Sequence, residues 1–324
     1  MIRAFVRSVG AFTGFALSLA ASAAFVPGKP VELVVHTGPG GGNDVLARAI
    51  SAMAEKENLL PVRFVVVNKP GGNGAVAANY LAEKKGDPNV VGLITSAWLV
   101  GPMTTAEAKV AVTDLTPLVQ LVQEPAVVAV RADAPFKTMK DFIEAAKAKP
   151  GELKQSGGSL TARDSIMRQV LQNATGARWA FISFPGGGER LAALLGGHVN
   201  MMIVEPQEAG EHLRAGKLRV LAQVADKRLP GFPDVPTLKE AGYDVVLFPQ
   251  MRGAVAPPGI APDAAAYWRD FFARLVRTPS WRKYLEDNQF EDGFRTGAEF
   301  TKTLDDTSRQ LAKLLQDAGV KVVR

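Results

Sequence analysis

The 324-residue chain has no cysteine, which excludes disulfide frameworks, thiolate nucleophiles and Cys-ligated metals. Histidine is nearly as scarce. His36, His198 and His212 are too dispersed to suggest a metal site, and His36, at a strand end, reads as structural. Aromatics make up 7% of the residues, and the Lys and Arg behind the net charge of +6 are scattered instead of interleaved with them. That pattern sets nucleic acid aside as a partner and favours small anionic ligands. Beyond the N-terminus no apolar run approaches the roughly 18 residues needed to span a bilayer. Familiar enzyme signatures are missing as well. Gly157-Gly158-Ser159-Leu160-Thr161 lacks the last glycine of a nucleophile elbow. Gly38-Pro39-Gly40-Gly41-Gly42-Asn43 lacks the third glycine of the dinucleotide fingerprint, and no phosphate-loop signature occurs. No catalytic residue and no cofactor is therefore expected, and the chain does not read as an enzyme. A secreted α/β enzyme acting on a small organic acid is the alternative, because glycine turns also build oxyanion holes.

What is present begins with a leader. Met1-Ile2-Arg3-Ala4-Phe5-Val6-Arg7 is followed by an apolar segment over residues 9–20 and then Ala21-Ser22-Ala23. A basic n-region, a short h-region and an A-x-A site make residues 1–23 a signal peptide, cleaved near Ala23, and the mature chain an exported soluble protein. A retained anchor is the other reading. The full chain is 47% hydrophobic and long enough for two domains with real cores.

Four glycine-rich turns punctuate a strand–helix rhythm. The first, His36-Thr37-Gly38-Pro39-Gly40-Gly41-Gly42-Asn43-Asp44, lies between the apolar run Val31–Val35 and an amphipathic helix carrying Val45, Leu46, Ala49, Ile50 and Met53. Backbone N–H groups at a helix start lack intrahelical partners and carry partial positive charge, so such a loop can hold an anion on main chain alone. Asn43 and Asp44 there cap the helix or orient ligand-bound water, and Asp44 can pair with Arg48 one turn on. The second turn, Asn68-Lys69-Pro70-Gly71-Gly72-Asn73-Gly74, follows a strand at 63–67 on the same sheet edge. In open α/β sheets ligands bind at that edge. After Val90–Thr95, Trp98 either lines the cleft or fills the core. Apolar segments joined at Gln123-Glu124-Pro125 then mark a crossing into a second domain. That domain holds the third turn, Ser156-Gly157-Gly158-Ser159-Leu160-Thr161, with Ser159 or Thr161 as N-cap of the next helix. The fourth is Pro185-Gly186-Gly187-Gly188-Glu189-Arg190. The proline-rich loop Arg228-Leu229-Pro230-Gly231-Phe232-Pro233-Asp234-Val235-Pro236 leads to a short helix ending at Gly242. Residues 245–256, broken by Pro249, return to the first domain, and 263–324 read as helical, with their aromatics in the core. The expected boundaries are 24–124 for the first lobe, 125–248 for the second and 249–324 for the return segment. Two linkers between lobes are natural hinges, and the cleft between them is the default ligand site.

The order and spacing of several stretches resemble the extracytoplasmic solute receptors of the tripartite tricarboxylate transporter type, the Bug proteins. These stretches are Lys29-Pro30-Val31-Glu32-Leu33-Val34-Val35, Gly38-Pro39-Gly40-Gly41-Gly42-Asn43-Asp44 with Ala47-Arg48, Val67-Asn68-Lys69-Pro70-Gly71-Gly72-Asn73-Gly74, Pro135-Phe136-Lys137-Thr138, and Ala215-Gly216-Lys217-Leu218-Arg219 with the proline-rich loop. The resemblance implies a type II periplasmic-binding-protein fold, two α/β lobes joined by hinge crossovers and closing on a small carboxylate. It also implies a periplasmic location, delivery to membrane subunits of the transporter, and a monomer. A receptor that signals to a membrane sensor is indistinguishable at this level. Carried over by position, the carboxylate is held by backbone amides from Gly40, Gly41, Gly42, Asn43 and Asp44 in one lobe and from Ser156, Gly157, Gly158, Ser159 and Thr161 in the other, with Pro185, Gly186 and Gly187 as a further wall.

The sequence also departs from the family pattern. Arg163-Asp164 replaces a region where many members have His, Glu205-Pro206 stands where Asp is usual, and Met251-Arg252 replaces an aromatic. A cation in the first turn of a helix is disfavoured by the dipole. Arg163 is therefore expected either to pair with a second ligand carboxylate or to pair with Asp164 or solvent. Glu205 receives a ligand amine or hydroxyl, or simply favours its helix N-terminus.

Overall fold

The computed structural model describes residues 24–106, 108–184, 186–248 and 250–323. The leader expected at 1–23 and Pro185 lie outside them. The chain opens with β1 (Val31–Val35), α1 (Gly42–Lys56), β2 (Phe64–Asn68), α2 (Ala75–Glu83), β3 (Val90–Thr95) and α3 (Ala97–Thr104). All six residues of β3 are buried, which fits a central strand covered on both faces and explains its unbroken apolar character. β4 (Thr116–Gln123) completes this first pass, and after Glu124-Pro125 the chain enters β5 (Ala126–Arg131) of a second sheet.

The second sheet is built with α4 (Met139–Ala148), β6 (Lys154–Gly157), α5 (Arg163–Thr175), β7 (Ala180–Ser183), α6 (Gly187–Leu195), β8 (Met201–Val204), α7 (Pro206–Arg214) and β9 (Leu218–Val224). The start of α4 is fixed locally by a capping box. Thr138 accepts the Asp141 N–H at 3.2 Å, and the Asp141 carboxylate accepts the Thr138 N–H at 2.9 Å. The chain then returns through β10 (Met251–Ala256), α8 (Pro262–Leu275), α9 (Pro279–Asn288), β11 (Glu291–Thr296) and α10 (Gly297–Asp317).

The first sheet has the order β11-β4-β10-β3-β1-β2 and the second β7-β6-β8-β5-β9. β1 runs parallel to β2 and β3, while the returning β10 is antiparallel to β3 and β4. In the second sheet β6 is parallel to β7 and β8, and β5 is antiparallel to β8 and β9. The outgoing and returning crossings touch: the Glu124 N–H donates to the Gln250 carbonyl at 2.7 Å. The result is two α/β lobes, the fold class expected from the resemblance.

Each sheet is covered on both faces. One face of the first is packed by Leu46 and Ile50 of α1 with Trp268, Phe271 and Phe272 of α8. The other is packed by Leu81, Trp98 and the Phe300, Leu304, Leu311 and Leu315 stripe of α10, each such side chain contributing roughly 1.5–3 kcal/mol of burial. This second cluster continues without a break into Phe142, Ile166 and Met167 of the second lobe. The C-terminal aromatics are thus core, as expected, and Trp98, fully buried, is core and not a ligand stacker.

Three expectations are corrected. The C-terminal region is not helical throughout, because Glu291–Thr296 pairs with β4 as an edge strand. Its polar sequence shows no apolar alternation, as suits a strand exposed along one side. Residues 237–242 form turns instead of a helix. Neither α1 nor α5 is capped by the expected residues: their N-caps are Gly41 and Ala162, neither making a side-chain cap bond.

Candidate functional site

The turn between β1 and α1 is held by its own polar groups. Thr37 reaches from outside the helix to accept the Asp44 N–H at 3.1 Å, the work expected of Asn43 or Asp44. The Asp44 carboxylate binds the Gly40 N–H at 2.9 Å, Arg48 at 2.9 and 3.0 Å, and Asn68 Nδ2 at 2.9 Å. Arg48, then Asn68 and the Gly40 N–H, hold its carboxyl well below the usual carboxylate range against the opposing effect of burial. The Asn43 amide donates to the Leu93 carbonyl at 2.7 Å. Gly41 is required here, because a Cβ at that position would lie 2.7 Å from Thr37 Cβ. Burial, and secondarily Arg252, push the neighbouring His36 down to about 4, so it is neutral at physiological pH.

From this turn a buried polar chain runs into the second lobe. Arg252 of β10 donates to the Gly42 carbonyl at 2.6 Å and pairs with Glu124 at the crossing. The Glu124 carbonyl accepts from Arg163 Nη1 at 2.7 Å, and Arg163 also pairs with Glu205. Arg163 is therefore committed neither to Asp164 nor to solvent. Its misplacement at the helix start is explained by a carboxylate from the end of β8 and a carbonyl from the crossing. Asp164 instead pairs with Arg190 at 3.1 Å and accepts the Gly158 and Ser165 N–H groups at 2.8 and 2.9 Å. Arg190 continues to Glu208 at 3.2 Å.

Burial dominates the titration of these acids. It raises Asp164 despite Gly158 and Arg190, and pushes Glu208 up to about 7. It also works against ionisation of Glu205, but Arg163 and Arg190 outweigh it and hold Glu205 below its ordinary range. Of this neighbouring pair the proton is therefore favoured on Glu208 and disfavoured on Glu205.

Above this network lies a cavity of about 180 Å³ between the lobes. The first lobe supplies Asn73, Ala97 and Val100. The second supplies Ser159, Thr161, Ala162, Arg163, Asp164, Arg190, Ile203 and Glu205, and the return crossing adds Phe248 and Gln250. The lobes meet directly at its edge, where Asn73 Nδ2 donates to Thr161 Oγ1 at 3.1 Å. Asn73 holds a left-handed backbone, φ 49°, next to Gly101 of α3. A Cβ at position 101 would sit 2.5 Å from the Asn73 carbonyl oxygen, so that glycine is what lets the loop approach. At the other wall the first-turn N–H groups of Arg163 and Asp164 have no partner among the described residues.

Of the residues singled out in the sequence, Ser159, Thr161, Arg163 and Glu205 line the cavity. Ser156, Gly157 and Gly158 lie behind it: Ser156 is buried, Gly157 has no room for a Cβ beside Phe181, and Gly158 binds Asp164. Gly186 and Gly187 open α6, where a Cβ on Gly187 would collide with Glu208. Gly40, Gly41, Gly42, Asn43 and Asp44 do not line this cavity, and Gly42 connects to it through Arg252, Glu124 and Arg163. Sequence reasoning missed Asn73, Arg190, Phe248 and Gln250. Asn73 was findable, since it sits within one of four glycine turns on the ligand edge. Phe248 and Gln250 lie in an irregular segment with no pattern to mark them.

Among the described residues no group of three or more His, Asp or Glu side chains could hold a metal ion, and no helix is long and apolar enough to cross a membrane. The family model described as "Tripartite tricarboxylate transporter family receptor" matches residues 46–320. A Cupriavidus necator protein, the "UPF0065 protein in gbd 5'region", is 30% identical over 295 residues, covering 91% of this chain and 89% of that protein. Among solved structures, a TctC solute binding protein from Polaromonas superposes with a TM-score of 0.76 at 30% identity, covering 90% of this chain and 99% of the other. The R. palustris protein Rpa4515, solved with adipate, superposes with a TM-score of 0.80 at 24% identity over 91% and 99% of the two chains, a likeness of fold.

Proposed function

Because this chain belongs to the tripartite tricarboxylate transporter family of receptors, we propose that it is an exported, monomeric periplasmic receptor. It captures a small carboxylate between its lobes and delivers it to membrane subunits of such a transporter. The observation that carries the reading is the cavity at the start of α5, where two unpartnered N–H groups, the Ser159 and Thr161 hydroxyls and the Asn73 amide converge. A helix start bearing free N–H groups is suited to an anion. The cations in the wall, Arg163 and Arg190, are already paired with Glu205, Asp164 and Glu208. The carboxylate is accordingly taken by N–H and O–H dipoles, and Arg163 acts as a positioning residue that fixes the wall. The turn holding Gly40, Gly41, Gly42, Asn43 and Asp44 supports the site from behind, through Arg252. The adipate seen in the R. palustris relative of this fold is consistent with the same ligand class.

Binding drives closure. Hydrogen bonds to a charged group contribute about 1.5–3 kcal/mol each, so three or four spanning both lobes favour the closed form by several kcal/mol after ordering costs. The crossings at Glu124-Pro125 and before β10 bend as hinges. The test is a thermal-shift screen of the mature protein against mono-, di- and tricarboxylates, aromatic acids and amino acids. A ligand at a hundred times its Kd adds about 2.7 kcal/mol to stability. Turnover of an acid without stabilisation would establish the enzyme reading instead.

A further inference from the structure

A second and larger cavity, about 500 Å³, lies on the far side of the crossings. Phe248 is the residue that lines both it and the smaller cavity. Its side chain is buried, and its backbone is anchored on each side. The Phe248 N–H points to Met167 Sδ of α5 at 3.2 Å, and the Leu247 carbonyl accepts from Gln310 of α10 at 3.1 Å. The backbone is thus tied to the helix at whose start the smaller cavity lies, and Phe248 is the residue the two linings share.

The chemistry changes across Phe248. Beyond it, Glu124 is neutralised by Arg252, and Asp244 faces Lys239 at 3.7 Å. Asp226 and Glu291 of the same wall, one from each lobe, make no ion pair among the described residues, and of the neighbouring cations Lys227 acts on Glu291 against burial and Asp226, which leaves the two acids in excess. The space behind Phe248 is therefore negative and repels the far carboxylate of any dicarboxylate long enough to reach it.

We propose that Phe248 is the end wall that sets ligand length, confining the receptor to short carboxylates by closing the cavity off from the acidic space behind. The proposal rests on the carboxylate sitting at the start of α5. Removing the ring would join the two cavities, and relief of a steric limit of this kind is worth roughly tenfold or more in affinity per rejected methylene.

The test is calorimetric titration of the wild-type protein, Phe248→Ala and Phe248→Leu with straight-chain dicarboxylates of four to eight carbons and ω-amino carboxylates of the same lengths. The wild type is expected to fall off steeply with length. Phe248→Ala is expected to gain at least about tenfold for the long ω-amino acids, whose ammonium Asp226 and Glu291 attract, and distinctly less for the long dicarboxylates, whose second carboxylate the same pair repels. Phe248→Leu, the milder truncation, is expected to move the profile part of the way and serves if Phe248→Ala does not fold. An unchanged length profile in a folded variant that still binds short acids overturns the end-wall role alone. Failure of every carboxylate to bind the wild type overturns the reading of the site, and the end-wall role with it.

Discussion

Arg163→Ala tests the buried polar chain most directly. The substitution removes the hydrogen bond to the Glu124 carbonyl and strands Glu205 without its partner. Arg163 is 8% exposed and Glu205 22% at the side chain, so the pair is largely withdrawn from water. Breaking a buried pair by removing one partner costs about 3–5 kcal/mol, and the partial exposure of Glu205 favours the lower end. At roughly 2 °C per kcal/mol for a chain of this size, the ligand-free protein should melt about 6–10 °C lower. The loss should also depend on pH in a defined direction. In the wild type Glu205 is held below its unfolded value of 4.5, so its contribution is present above that pH and lost as pH falls through the folded value. In the variant burial prevails and raises the carboxyl, which becomes tolerable once protonated. The penalty is therefore larger at pH 8 than at pH 5. Calorimetric melting of both proteins at the two pH values measures it. A deficit below about 1 kcal/mol, or one equal at both pH values, would refute the reasoning. Pairing the change with Glu205→Leu should restore part of the loss, since no stranded carboxylate then remains although the space left by Arg163 does.

Asn73→Ala removes the hydrogen bond that joins the lobes at Thr161. Its expected effect is on affinity, about tenfold weaker by calorimetric titration, with a melting point within a degree or two of wild type. Glu208 and His36 tilt the pH profile in opposite senses. Glu208 is raised to about 7 in the folded protein, so its contribution is present below 4.5 and lost as pH rises towards 7. Glu208→Gln should flatten that decline in a series of melting curves between pH 4.5 and 7.5. His36 is lowered to about 4 and must stay neutral, so it weakens the fold as pH falls from 6.5 to 4. His36→Gln should lessen acid sensitivity in that window, and a curve parallel to wild type would show that the ring protonates freely in the folded state.

Much of the architecture was legible because the lobes are made of locally determined pieces. β3 reads as a buried strand from its own six residues, and the α10 stripe of Phe300, Leu304, Leu311 and Leu315 has helical spacing. Where the reading failed, a non-local contact had replaced a local one. Thr37, seven residues away, took the capping role from Asn43 and Asp44. β11 became a strand because β4 offered an edge, against a sequence of charged residues with no alternation. Such pairings depend on what lies across space and leave no periodic trace.

The sequence by itself determined that glycine turns lie at the carboxyl edge of two α/β lobes, since turn chemistry and hydrophobic period are properties of short segments. It also determined which family the chain resembles. Only the tertiary structure decided which turns face the cavity. It brought Asn73 of the second turn against Thr161 of the third, and set the turn holding Gly40 to Asp44 behind them. It likewise decided that Arg163 is occupied, because Glu205 and the Glu124 carbonyl are distant in the chain and adjacent only after both crossings are made. A buried charge takes whatever partner the packing delivers, and that partner is fixed by the whole fold.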